Sequence, residues 1–303
     1  MPLLGSAQET FDLKIEKPER SGAPANIYSN VGFRLYLPKV EQPFRAVLIF
    51  FNDGGFDTNL RMQESYWATF MQEQRVAIIA CSFTNKDDAP TISALESNWY
   101  GKLLWDSIRK LADQSKHSEI NTLPLIPFGT TPQGSLMAYN LANWKTSRIA
   151  ALFMTDLPKG QYEVSSSVGK IPALVVCPAK DAERITDMLN TARSKGNPWA
   201  YICNKHSYKD IEPVGLDFLV AVFANQDATD PAKADKNTLG TDKAPTDPAW
   251  IGDLKDNSIA AKTDSNKSGK NTVWLPNEVF AKQWQWYMGG VSAPAPAQTP
   301  ATE

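Results

Sequence analysis

The chain has 303 residues, and 33 acidic against 31 basic side chains leave a formal charge of -2. With 42% hydrophobic and 10% aromatic residues it can bury a sizeable core, and its length fits one large domain with appendages. No clustered basic face offers itself to phosphates, which excludes a nucleic-acid partner, and no apolar run approaches the roughly 20 residues of a membrane span.

In chain order, the first nine residues (MPLLGSAQE) are a short apolar stretch closing in small residues, like the last part of a secretory signal peptide and its cleavage site. Two readings stand: a secreted or periplasmic protein whose mature chain begins near Gln8 or Glu9, or a frayed cytosolic terminus. Residues 1–25 are therefore set apart as an N-terminal segment. Next come VGFRLYLP and AVLIFF, two strands within 31–51 joined by a polar connection with Pro38 and Pro43. Further apolar runs follow at 76–81 (VAIIAC), 123–128 (LPLIPF), 149–154 (IAALFM), 173–177 (ALVVC) and 199–203 (WAYIC). Each is continuous rather than alternating, as befits strands buried on both faces of a parallel sheet. Helical patterns occupy 62–73, 95–114, 133–145, 181–195 and 212–225. Alternating strands and helices predict an α/β domain over 26–225, with a mostly parallel sheet, helices on both faces, and ligands at the carboxyl ends of the strands.

From Asn225 onward the composition turns polar, and residues 226–272 read as a long loop or flap rather than a second domain. A helix is expected from Pro276 to about Tyr287, so that 226–288 packs on the core as a flap and terminal helix. The Pro/Ala-rich residues 289–303 read as a disordered tail. Among nine tryptophans, Trp250, Trp274, Trp284 and Trp286 fall in the carboxyl-terminal part. They are expected to dock the flap and last helix onto the core, with sugar or polymer binding by exposed rings as the alternative. The three cysteines, Cys81, Cys177 and Cys203, each lie in an apolar run and read as buried free thiols on neighbouring strands.

Chemistry is concentrated in a few places. The loop after AVLIFF reads Asn52-Asp53-Gly54-Gly55, where paired glycines can expose backbone N–H groups to a ligand. The junction after LPLIPF reads Gly129-Thr130-Thr131-Pro132-Gln133-Gly134-Ser135, the strand-to-helix position at which a G-x-S-x-G elbow holds a nucleophile. Asp181 follows the ALVVC run and His206 the WAYIC run, in the order nucleophile, acid, base. Only His117 and His206 could serve histidine-dependent chemistry. Neither metal-ligand spacing nor a cofactor motif is present, so no metal and no cofactor is expected.

From about Phe33 to Phe223 these segments resemble the α/β-hydrolases, and within them exported esterases of the poly(3-hydroxybutyrate) depolymerase and feruloyl esterase type. FRLYLP, the NDGG loop, LPLIPFGTTPQGS, the Asp181 turn and the Asn204-Lys205-His206 loop carry the resemblance, with Trp274-Leu275-Pro276 and Trp284 beyond. It implies Thr131 at the nucleophile position, Asp181 at the acid, His206 at the base, and Asn52, Asp53, Gly54, Gly55 and Pro132 around the oxyanion. Lys180 and Glu183 beside Asp181 leave the acid open.

The departures from that pattern set the functional expectation. Threonine replaces the serine, Gln133 replaces the next elbow glycine, and Pro132 has no N–H where the principal oxyanion donor belongs. The same residues suit a helix start with Thr131 as N-cap and Pro132 as first residue, and Ser135 would lie one turn inside that helix. The leading expectation is thus a degenerate, catalytically dead or very slow esterase-like protein that keeps a cleft for a small ester, acyl or carbohydrate ligand. The alternatives are an active hydrolase in which Thr131 attacks and His206 accepts its proton, and a purely structural or interaction protein.

Overall fold

The computed structural model describes residues 8–16, 28–51, 62–85, 97–157, 164–178, 182–204, 211–229 and 249–289. Eight strands form one sheet: β1 (Glu9–Glu16), β2 (Tyr28–Leu37), β3 (Ala46–Phe51), β4 (Val76–Asn85), β5 (Leu125–Gly129), β6 (Leu152–Thr155), β7 (Ala173–Pro178) and β8 (Trp199–Asn204). Their order across the sheet is β1-β2-β4-β3-β5-β6-β7-β8. The β1–β2 and β2–β4 pairs are antiparallel and the remaining pairs are parallel. This is the mostly parallel α/β sheet that the run of buried strands predicts. All six residues of β3 are buried, because a central strand covered on both faces has no side left for polar residues. Between the Leu125↔Ile149 bridge and the Phe128↔Phe153 pair the β5–β6 ladder is interrupted. Pro127 lies in that interval and has no N–H to give.

The helices are α1 (Ser65–Gln74), α2 (Ser97–Ser115), α3 (Pro132–Trp144), α4 (Ala182–Ser194), α5 (Ile211–Thr229) and α6 (Glu278–Tyr287). Side-chain alternation at the end of β5 separates the two faces. The Phe128 ring meets Trp67 of α1, 5.5 Å between ring centres, and Phe70 of α1 meets Phe223 of α5. The next residue, Gly129, points the opposite way, and a Cβ there would run into the backbone of Ser135 in α3. So α3 covers one face while α1 and α5 cover the other.

Three segments differ from the sequence reading. Residues 9–16 are a full edge strand, so the sheet begins before residue 26; Phe11, Leu13 and Ile15 pack inward while Asp12 faces out to Arg34. Within the stretch read as a polar loop, α5 continues to Thr229, and β9 (Trp250–Asp253) and β10 (Ile259–Ala261) join β11 (Thr272–Leu275) in a small antiparallel sheet, order β10-β9-β11. The last helix starts at Glu278 rather than Pro276, because Asn277 is its cap: Asn277 Oδ1 accepts the Phe280 N–H at 2.9 Å. Buried Trp274 and Trp284 dock this part onto the core, the Trp284 indole N–H donating to the Tyr201 carbonyl of β8 at 2.7 Å. Cys81, Cys177 and Cys203 are buried and form no disulfide; Cys177 and Cys203 are in register on adjoining β7 and β8, whereas Cys81 lies on β4, away from both.

Candidate functional site

The parallel strands β3 to β8 end along one carboxyl edge, and Thr131 sits there, two residues beyond β5. Two glycines bring α3 close against the sheet. A Cβ on Gly134 would strike the Phe51 carbonyl of β3, as one on Gly129 would strike Ser135. Thr131 itself has φ -134° and ψ 165°, ordinary extended backbone rather than a strained elbow. Its Oγ1 accepts the Gly134 N–H at 3.0 Å, and its carbonyl accepts the Ser135 N–H at 2.8 Å. Threonine is here the N-cap of α3, with Pro132 as first residue, as the sequence suggested. Accepting the Gly134 N–H draws electron density from the oxygen and so weakens it as a nucleophile. The residue after it has no N–H, and Gln133 supplies the first backbone N–H of the helix.

Ser135 is no substitute nucleophile. It is fully buried; its hydroxyl hydrogen-bonds the carbonyls of Gly129 and Thr155 and accepts the Thr155 N–H at 2.7 Å. The side chain stitches α3 to the ends of β5 and β6.

Two further carboxylates stand along this edge that the sequence reading did not single out. Asp156, the first residue past β6, has φ +45°, a conformation that Asp tolerates better than most residues; its N–H donates to Val176 of β7 at 3.0 Å. The only sequence signal was an acidic residue directly after a buried run, which is weak alone. Glu212, in the first turn of α5, is 3% exposed and accepts the Tyr66 hydroxyl at 2.7 Å and the Trp67 indole N–H at 3.0 Å. The helix N-terminus favours that charge, and the two bonds tie the starts of α1 and α5 together. No spacing in the sequence announces a contact between residues so far apart.

Of the residues implicated by resemblance, the structure brings Thr131 and Pro132 to the carboxyl edge. Asn52, Asp53, Gly54, Gly55, Asp181 and His206 lie outside the described residues. Among the described residues, no three His, Cys, Asp or Glu side chains gather as metal ligands, and no helix is long and apolar enough to cross a membrane.

No family model matches the chain, and no curated protein matches it. Solved structures similar to it include an S-formylglutathione hydrolase from Agrobacterium tumefaciens, at 12% identity over 71% of this chain and 94% of that one, TM-score 0.45. A fluorophosphonate-binding serine hydrolase of Staphylococcus aureus aligns at 13% identity over 71% of this chain and 98% of its own, TM-score 0.44. A poly(3-hydroxybutyrate) depolymerase from Bordetella parapertussis aligns at 12% over 70% and 89%, TM-score 0.43.

Proposed function

We propose that this chain is a degenerate α/β-hydrolase-fold protein in which the nucleophile elbow has become an ordinary capped helix start. It turns over carboxylic esters very slowly or not at all, and it keeps the carboxyl-edge cleft for a small ester, acyl or carbohydrate ligand. One observation carries the reading: the Thr131 hydroxyl oxygen is engaged as N-cap on Gly134, and the next residue, where the resemblance puts the oxyanion donor, is Pro132, which has no N–H. Losing one such donor costs about 10²–10³ in rate, before the weaker nucleophile is counted. Asp181 and His206 enter this proposal as the acid and base positions of the ancestral arrangement.

A panel of p-nitrophenyl esters tests it. Wild-type turnover is expected at the buffer background. The combined variant Thr131→Ser, Pro132→Ala, Gln133→Gly returns the hydroxyl, the N–H and the permissive glycine, and is expected to raise turnover by at least about 10². Thr131→Ser alone does little, because Pro132 still withholds the donor; nucleophile and hole act as a unit. Wild-type esterase activity that the His206→Ala substitution abolishes would overturn the reading and make Thr131 the nucleophile.

A further inference from the structure

The second histidine lies at the opposite edge of the sheet. Because β2 runs against β4, its last residues reach the amino ends of the parallel strands: Tyr36 pairs Ile78, and Leu37 pairs Glu9 of β1. Phe44, just before β3, and His117, just after α2, arrive at the same edge. Together they line a half-open pocket of about 500 Å³, within the size range of small-ligand sites. Its lining joins buried Leu37 and Phe44 to His117, Glu9, Glu41 and Lys39.

The imidazole is held in place from two sides. His117 Nδ1 lies 2.7 Å from the Glu119 carboxylate, and the ring leans on Phe44 with centres 5.1 Å apart. A carboxylate on Nδ1 keeps the hydrogen there in the neutral ring and directs Nε2 to act as acceptor. Any positive charge on the ring is already answered by Glu119. The cavity lining then counts two carboxylates, Glu9 and Glu41, against the single ammonium of Lys39, over an apolar floor.

We propose that this amino-edge cavity is a binding site for a small organic amine: a protonated amino group beside Glu9 and Glu41, and a compact apolar body on Leu37 and Phe44 against the His117 ring. The site is independent of the carboxyl-edge cleft and of whether that cleft hydrolyses anything.

Phenethylamine serves as probe, with phenylacetate and 2-phenylethanol as comparators of the same shape, titrated at neutral pH and constant ionic strength. The chain has two histidines, so the His117 ring signal in a proton NMR spectrum is identified by its loss in His117→Gln. Phenethylamine is expected to shift that signal saturably while phenylacetate does not. The variant Glu9→Gln, Glu41→Gln changes two exposed side chains, with folding checked by circular dichroism, and is expected to bind the amine about fivefold more weakly. The proposal is overturned if phenethylamine gives no saturable shift, if either comparator binds as tightly, or if the double variant keeps full affinity.

Discussion

Thr131 and Ser135 sit one helical turn apart and divide the work of starting α3. Thr131 satisfies an otherwise unpaired N–H of the first turn, so Thr131→Ala is expected to cost about 1 kcal/mol in denaturant unfolding while Thr131→Ser costs little, serine being an equally good cap. A threonine placed for nucleophilic attack, with its hydroxyl off the helix, would show no such contrast. Ser135→Ala removes the acceptor of the buried Thr155 N–H and the hydroxyl that bonds two carbonyls, and is expected to cost about 1–3 kcal/mol by the same measurement.

Two polar contacts between elements are made at some electrostatic cost. Asp217 of α5 accepts from Gln283 of α6 at 3.2 Å, and burial pushes its carboxyl up to about 6 from the ordinary 3.8. Below the unfolded value the group is protonated in both states. As pH rises through 4 to 6 the unfolded chain ionises first, so the folded state loses stability, and above about 6 the penalty is constant. Asp217→Asn keeps an acceptor for Gln283. It should match wild type near pH 3.5 and exceed it at pH 7 by about 1–3 kcal/mol, read from urea midpoints at the two pH values. Arg193 of α4 is fully buried, and desolvation lowers its guanidinium to about 10, still charged at neutral pH. It donates to the carbonyls of Asn197 and, at 2.9 Å, Lys267, and to the Thr272 hydroxyl, so it ties α4 to the small sheet. Arg193→Ala leaves those acceptors and a cavity, and is expected to cost about 2–4 kcal/mol.

At the scale of the molecule, the small sheet and α6 send Ile251, Val273, Trp274, Leu275, Phe280 and Trp284 into the same core as the large sheet, and are held further by Arg193, by the Trp284 bond to β8, and by Asn225 of α5, which donates to the Pro276 carbonyl at 2.8 Å. The two sheets should therefore unfold in one step: tryptophan fluorescence and far-ultraviolet circular dichroism are expected to give coincident urea transitions, and two separated transitions would show the small sheet to be an independent unit. The strands β2 to β8 and the five helices before the small sheet were legible in the chain, because continuous apolar runs and helical periodicity record burial locally. So was the cap at Thr131, since threonine and proline at successive positions describe a helix start by their own chemistry. The edge strand β1 carries a different signal, Phe11, Leu13 and Ile15 alternating with polar residues as in a strand covered on one face, and it stands outside the continuous apolar runs that mark the central strands. The small sheet was not legible, because short strands such as Ile259–Ala261 are specified by partners across a sheet rather than by their own sequence. The sequence determined the α/β class, the strand-to-helix alternation and the proline that withholds a backbone donor, all properties of neighbours along the chain. Only the tertiary structure decided that Glu212 meets Tyr66 and Trp67, that Ser135 closes on Thr155, and that His117 shares a cavity with Glu9 and Glu41, because those contacts join residues that packing, not spacing, brings together.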